Sequence, residues 1–277
     1  MVSPVETHNQ DFMTRTLRQA AQETGTDFNF LLRTAARESN FDVRAEASTS
    51  SAAGMFQFIE QTWLGVMQRR GADHGYDDAA AAISRDAQGR YVVEDPVQRQ
   101  RILDMRFDAE ASARMAGELA AENANVIETR IGRPASTGEL YAAHFLGAQG
   151  AATLIENAEA SPDGRADRLF PAAARANRSI FYDGGRARSS AEVLASLTRE
   201  RPAPTIPAGV SRGEADATVR LADTSGTSST VPTLARNRVA STMPGSHQVG
   251  NGELSPALVE ILASLDAPRA AGRTRNS

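Results

Sequence analysis

A glutamate closing an apolar helix face is the residue of this chain best suited to chemistry. Leu31, Ala35 and Glu38 are spaced i, i+4, i+7 and so share one side of a helix. A carboxylate on such a side either costs several kcal/mol to bury or holds a proton. A protonated carboxyl at a helix end, facing a cleft, is what general acid catalysis of sugar cleavage requires. A short way on, Ala53-Gly54-Met55-Phe56-Gln57-Phe58 sets a glycine and an amide among apolar residues. Metal chemistry has no comparable grouping. His8, His74, His144 and His247 lie far apart in sequence, and there is no Cys to supply a thiolate or a disulfide.

The elements that must position these residues read as helices. One is expected over Asp11 to Glu23, a second over Asp27 to Ser39 and a third over Glu60 to Arg70. Asp95-Pro96 is a start signal, with Asp as N-cap and Pro in the first turn. The stripe Ile102, Met105, Ala109, Ala113, Ala116, Leu119 or Ala120 predicts one long helix behind it. Ser136 and Glu139 form a capping box for a helix running to about Leu146, with Gly147 as its stop. Ser189 and Glu192 repeat the device ahead of Val193 and Leu197. Arg90 to Val93, beside the turn-like Asp86-Ala87-Gln88-Gly89, is the one strand-like run.

Residues 1–198 therefore read as one mostly α domain. From 199 to 277 the composition changes: Pro202, Pro204 and Pro207, then Thr, Ser, Gly and Arg, too poor in large apolar residues for a core. This is expected to be a flexible or disordered tail. Within it, 255–266 predicts a short amphipathic helix carrying Leu258, Ile261, Leu262 and Leu265, which would need a protein partner or the main domain to fold on.

The chain has 277 residues and a net charge of −4, which argues against nucleic acid as the main ligand. All 30 basic residues are Arg, which reads as base composition rather than chemistry. No apolar run approaches the roughly 20 residues of a membrane span. Met1 to Gln10 has neither a positive nor an apolar signal region, so a substrate outside the cytoplasm would mean that a signal was removed or that another route delivers the protein.

Glu38-Ser39-Asn40-Phe41-Asp42, the small residues Ser48 to Ala53, Gly54-Met55-Phe56-Gln57-Phe58 and Thr62-Trp63 together resemble the catalytic core of the soluble lytic transglycosylases. These peptidoglycan-cleaving enzymes belong to the lysozyme-like superfamily. Tyr141-Ala142-Ala143-His144-Phe145-Leu146-Gly147 agrees in position with a third family segment, with His144 and Phe145 replacing its usual Tyr and Asn. Phe56 likewise replaces a Met, and the resemblance covers about residues 27 to 155.

The resemblance implies a lysozyme-like catalytic domain and murein lytic activity on peptidoglycan glycan strands, in the periplasm or cell envelope, with no cofactor. Glu38 would protonate the bond between N-acetylmuramic acid and N-acetylglucosamine, then take the proton of the muramoyl C6 hydroxyl as a 1,6-anhydro ring closes. One carboxylate suffices, unlike the usual glycosidase pair. Ser39 would hydrogen-bond Glu38 or cap the helix. Met55 and Phe56 would line the cleft with backbone, and Gln57 would hold a sugar N-acetyl group. Tyr141 and His144, i and i+3 on one helix face, would complete the cleft; a core role for His144 is equally open. Trp63 reads as core before sugar platform. A muramidase using water is the nearest alternative, and a non-catalytic peptidoglycan-binding or assembly protein is the alternative of another class.

Overall fold

The structure is a computed structural model and describes residues 4–48, 50–199 and 204–207. Those residues include eleven α-helices, two short 3-10 helices and two small hairpins. The first helix, α1, spans Pro4–Thr24, starting well ahead of the expected Asp11 and ending beside the expected Glu23. Next comes α2 (Phe28–Ser39), started by Asp27, whose carboxylate accepts from the Phe30 N–H. The third helix, α3, spans Glu60–Arg70. After a 3-10 turn, α4 (Asp77–Ala82) leads into a hairpin of β1 (Ser84–Arg85) and β2 (Tyr91–Val92). The expected strand is there, and β1 pairs with it in antiparallel register across Asp86 to Gly89.

The single long helix expected after Asp95 is two. Pro96–Asp104 forms α5, Met105–Phe107 a 3-10 turn, and Ala109–Ile131 forms α6. Asp108 is extended and its side chain accepts from the Ala111 N–H, so it restarts the helix as an N-cap. The apolar stripe stays in phase across this break, which hides the break from periodicity.

Both expected capping boxes are formed. Ser136 and Glu139 open α7 (Thr137–Ala160), and Ser189 and Glu192 open α11 (Ser190–Thr198). Gly147 is a kink rather than a stop: at φ 71°, ψ 161° it leaves helical space and the chain resumes α7 beyond it. That region of backbone space is open to glycine almost alone. Three short helices, α8 (Ala166–Leu169), α9 (Pro171–Ala176) and α10 (Arg178–Phe181), and the hairpin β3 (Tyr182–Asp183) and β4 (Arg186–Ala187) precede α11.

The layers follow from apolar faces. α6 packs between α1 and α7, and α11 covers the other side of α7. α2 touches α1, α6 and α7. Met13 and Leu17 of α1, Leu31 and Ala35 of α2, Met115 of α6 and Leu154 and Ile155 of α7 are fully buried in one continuous core. Each large side chain there removes apolar surface worth about 1.5–3 kcal/mol. Trp63 is fully buried, its indole donates to the Ile102 carbonyl (2.7 Å), and its ring meets Phe58 edge-on at 5.2 Å. It is core.

Residues 204–207 pack back on the domain. Ile206 is buried and its carbonyl accepts from Gln10 of α1 at 2.8 Å. The expected amphipathic helix at 255–266 lies outside the described residues. Among the described residues, no helix is long and apolar enough to cross a membrane.

Candidate active site

Glu38 sits in the last turn of α2, half-buried, on the face whose other members, Leu31 and Ala35, are fully buried. The Oε1 atom of its carboxylate is shielded from solvent. The sequence pattern thus delivers a partly sunk carboxylate at a helix end, as the i, i+4, i+7 spacing requires.

The helix ends abruptly at this point. Asn40 (φ 53°) and Phe41 (φ 66°) are both left-handed. The Asn40 N–H bonds back to the Ala36 carbonyl and the Phe41 N–H to the Ala35 carbonyl, both at 3.1 Å, closing the helix in the manner glycine usually permits. Phe41 is fully buried, and this burial holds a bulky residue in backbone space that costs about 1–3 kcal/mol. Gln57 (φ 49°) is the third non-glycine residue of positive φ, and no fourth occurs among the described residues. All three lie in the two segments that carry the family resemblance. Strain of this kind collects where a structure must hold a particular geometry for function.

A loop is held against the end of α2. The Ser39 hydroxyl donates to the Met55 carbonyl at 2.8 Å, with a longer 3.4 Å approach to the Ala35 carbonyl. Ser39 therefore ties the end of α2 to the Gly-Met-Phe-Gln segment, a contact that sequence reasoning did not anticipate. Met55 and Phe56 are buried. Single-residue antiparallel bridges pair Glu46 with Ala53 and Ala53 with Phe58.

Gln57 is buried, and its side-chain nitrogen donates to the carbonyls of Gly54 (2.9 Å) and Ala45 (3.1 Å). The hydrogens expected to greet a sugar amide are committed to holding the loop. Gln57→Ala is thus expected to lower the denaturant midpoint, because it removes two side-chain hydrogen bonds, each worth about 0.5–1.5 kcal/mol. An unchanged midpoint with a selective loss of glycan binding would return the amide to substrate contact.

Arg106, in the 3-10 turn between α5 and α6, is the residue the sequence reading missed. It is buried, and its guanidinium donates to three carbonyls: Ser51 (2.7 Å), Leu103 (2.9 Å) and Phe58 (3.1 Å). Burial pushes its pKa below the ordinary arginine value, yet an arginine stays charged. Arg106 clamps both ends of the loop that carries Met55 and Gln57. Its only trace in sequence is Asp108, a possible N-cap inside an otherwise unbroken stripe.

α7 carries Tyr141 and His144 one turn apart; the side chain of His144 lies outside the described ones. Tyr141 is half-buried, and the Arg37 guanidinium lies over its ring at 4.0 Å from the centroid. This stack brings the third resemblance segment to the end of α2. Phe145, which stands where the family has Asn, is buried in the core.

A small open groove lies beside these elements, lined among others by Phe30, Thr34, Phe56, Gln57, Leu119 and Asn123. Glu38 is not in its wall. Thr34, one helical turn earlier, is. Among the described residues, no group of three His, Asp or Glu side chains is placed to hold a metal ion. No family model matches the chain.

Proposed function

We propose that this chain is a lysozyme-like, peptidoglycan-cleaving lytic transglycosylase with Glu38 as its acid and base. The observation that carries the reading is the Ser39–Met55 hydrogen bond of 2.8 Å. It joins the two segments of specific resemblance, and it does so beside a half-buried glutamate at a strained helix end. The reading is supported further by Tyr141, which reaches the same end of α2 from α7.

The chemistry needs one carboxyl group. Glu38 gives its proton to the glycosidic oxygen as the muramoyl C1–O bond breaks. The muramoyl C6 hydroxyl attacks C1, and its proton returns to Glu38. The product is a 1,6-anhydro-muramoyl end, and water is not consumed. A nucleophile that belongs to the substrate removes the need for the second carboxylate of ordinary glycosidases. The substrate sets the place of action, the periplasm or cell envelope.

Purified protein added to a suspension of murein sacculi is expected to lower its turbidity and release soluble muropeptides. A suspension that stays turbid, with no muropeptide released, would overturn the reading.

A further inference from the structure

We infer that Arg37, stacked on Tyr141, is a carboxylate-binding subsite that reads the acidic groups of the glycan strand next to Glu38. The inference rests on the proposed function and adds a specificity element to that site.

Arg37 is exposed, in the last turn of α2, one residue before Glu38. Its guanidinium carbon lies 4.0 Å from the centre of the Tyr141 ring. A guanidinium that lies flat on a ring keeps its N–H groups in plane, where they match a carboxylate bidentately. The stack also fixes a side chain that would otherwise lose much freedom on binding. Other arginines of this protein already hold a carboxylate: Arg69 lies 2.6 Å from Glu122, Arg114 2.7 Å from Glu23 and Arg133 2.8 Å from Glu139. Arg37 has no acidic partner among the described residues, and its guanidinium lies over the Tyr141 ring. A cation held over an aromatic ring, one residue before the candidate acid in sequence, therefore stands at the junction of two resemblance segments.

A muramoyl residue brings carboxylates to this position. Its lactyl ether ends in a carboxylate when bare, and its peptide stem carries others when attached. Both offer the same planar anion to Arg37.

Three strand preparations separate the possibilities: strands with peptide stems, strands stripped of stems so that lactyl carboxylates are free, and stripped strands with those carboxylates converted to neutral amides. Cleavage is measured as kcat/KM for the wild type, Arg37→Gln, Tyr141→Leu and Tyr141→Phe. Binding of the same strands is measured by calorimetry in Glu38→Gln, with and without Arg37→Gln. The wild type should favour an acidic strand over the neutral one by about tenfold, the scale of one charge-assisted hydrogen-bonded pair. Arg37→Gln should erase that preference while keeping the wild-type rate on neutral strands. Tyr141→Leu should weaken the preference and Tyr141→Phe should retain it. Preference for stem-bearing strands alone assigns the stem carboxylates, and preference for stripped strands assigns the lactyl group. An equal loss on all three strands, or a preference that survives Arg37→Gln, overturns the inference. Binding that keeps the acidic preference without any cleavage sustains the subsite and rejects the catalytic reading. Absence of both cleavage and binding rejects both.

Discussion

Glu38→Gln is expected to abolish clearing of murein sacculi while leaving the helical signal and the melting temperature near those of the wild type. The substitution keeps shape and removes only the carboxyl proposed to transfer the proton. Positioned acid–base help contributes about 10²–10⁴-fold in rate, and a reaction with one catalytic carboxylate loses all of it together. Glu38 is half-buried beside Leu31 and Ala35 rather than beneath them, so its replacement does not open the core. A variant that clears murein at near wild-type rate removes Glu38 from catalysis. A wild type that binds sacculi without releasing products would instead favour a non-catalytic wall-binding protein.

Gly54→Ala is expected to have the largest effect on stability. Gly54 has φ +79°, and a Cβ there would lie 1.9 Å from the Arg106 carbonyl oxygen and 2.8 Å from its carbon. Both are backbone atoms of a turn whose own side chain is tied to three carbonyls. The loop has little room to yield, because the Gly54 N–H also bonds the Ala45 carbonyl at 2.8 Å. Gly89 provides the control, having the same φ of +79° and nothing within 4 Å of an added Cβ. Gly89→Ala meets only the left-handed penalty, roughly 1–3 kcal/mol. Gly54→Ala adds an overpacking cost of about 1–3 kcal/mol or more and displaces the segment that carries Met55. Urea midpoints and sacculus clearing for the two variants compare these effects directly. Equal midpoints, with activity kept in Gly54→Ala, would mean that the close approach to Arg106 does not constrain the site.

What could be read from the sequence divides along physical lines. Helix starts with local chemistry were legible: Asp27, Asp95, Ser136 and Ser189 each cap the helix they were expected to open, because an N-cap bonds within three residues of itself. The fully buried face of Leu31 and Ala35 follows from spacing alone. The split between α5 and α6 did not show, since the apolar stripe continues in phase and the break is fixed by Arg106 reaching Ser51 and Phe58, far away in sequence. Two-residue strands such as β3 and β4 are too short for an alternating pattern to register. At the site, the positions of Glu38 and the Gly-Met-Phe-Gln segment were apparent. Their contacts were not. Ser39 was expected to serve Glu38 or cap its helix, and it ties the helix to Met55. Gln57 was expected to hold a ligand, and it holds Ala45 and Gly54. Each is a side-chain-to-backbone bond whose acceptor depends on how the loop folds.

The most direct test of the central claim is mass spectrometry of the muropeptides that the purified protein releases from sacculi. A lytic transglycosylase acting through Glu38 leaves 1,6-anhydro-muramoyl ends, lighter than reducing ends by one water, and Glu38→Gln leaves none. Reducing muramoyl ends from the wild type would show water as the nucleophile and contradict the transglycosylase reading, and the same anhydro products from Glu38→Gln would contradict the role given to that carboxylate.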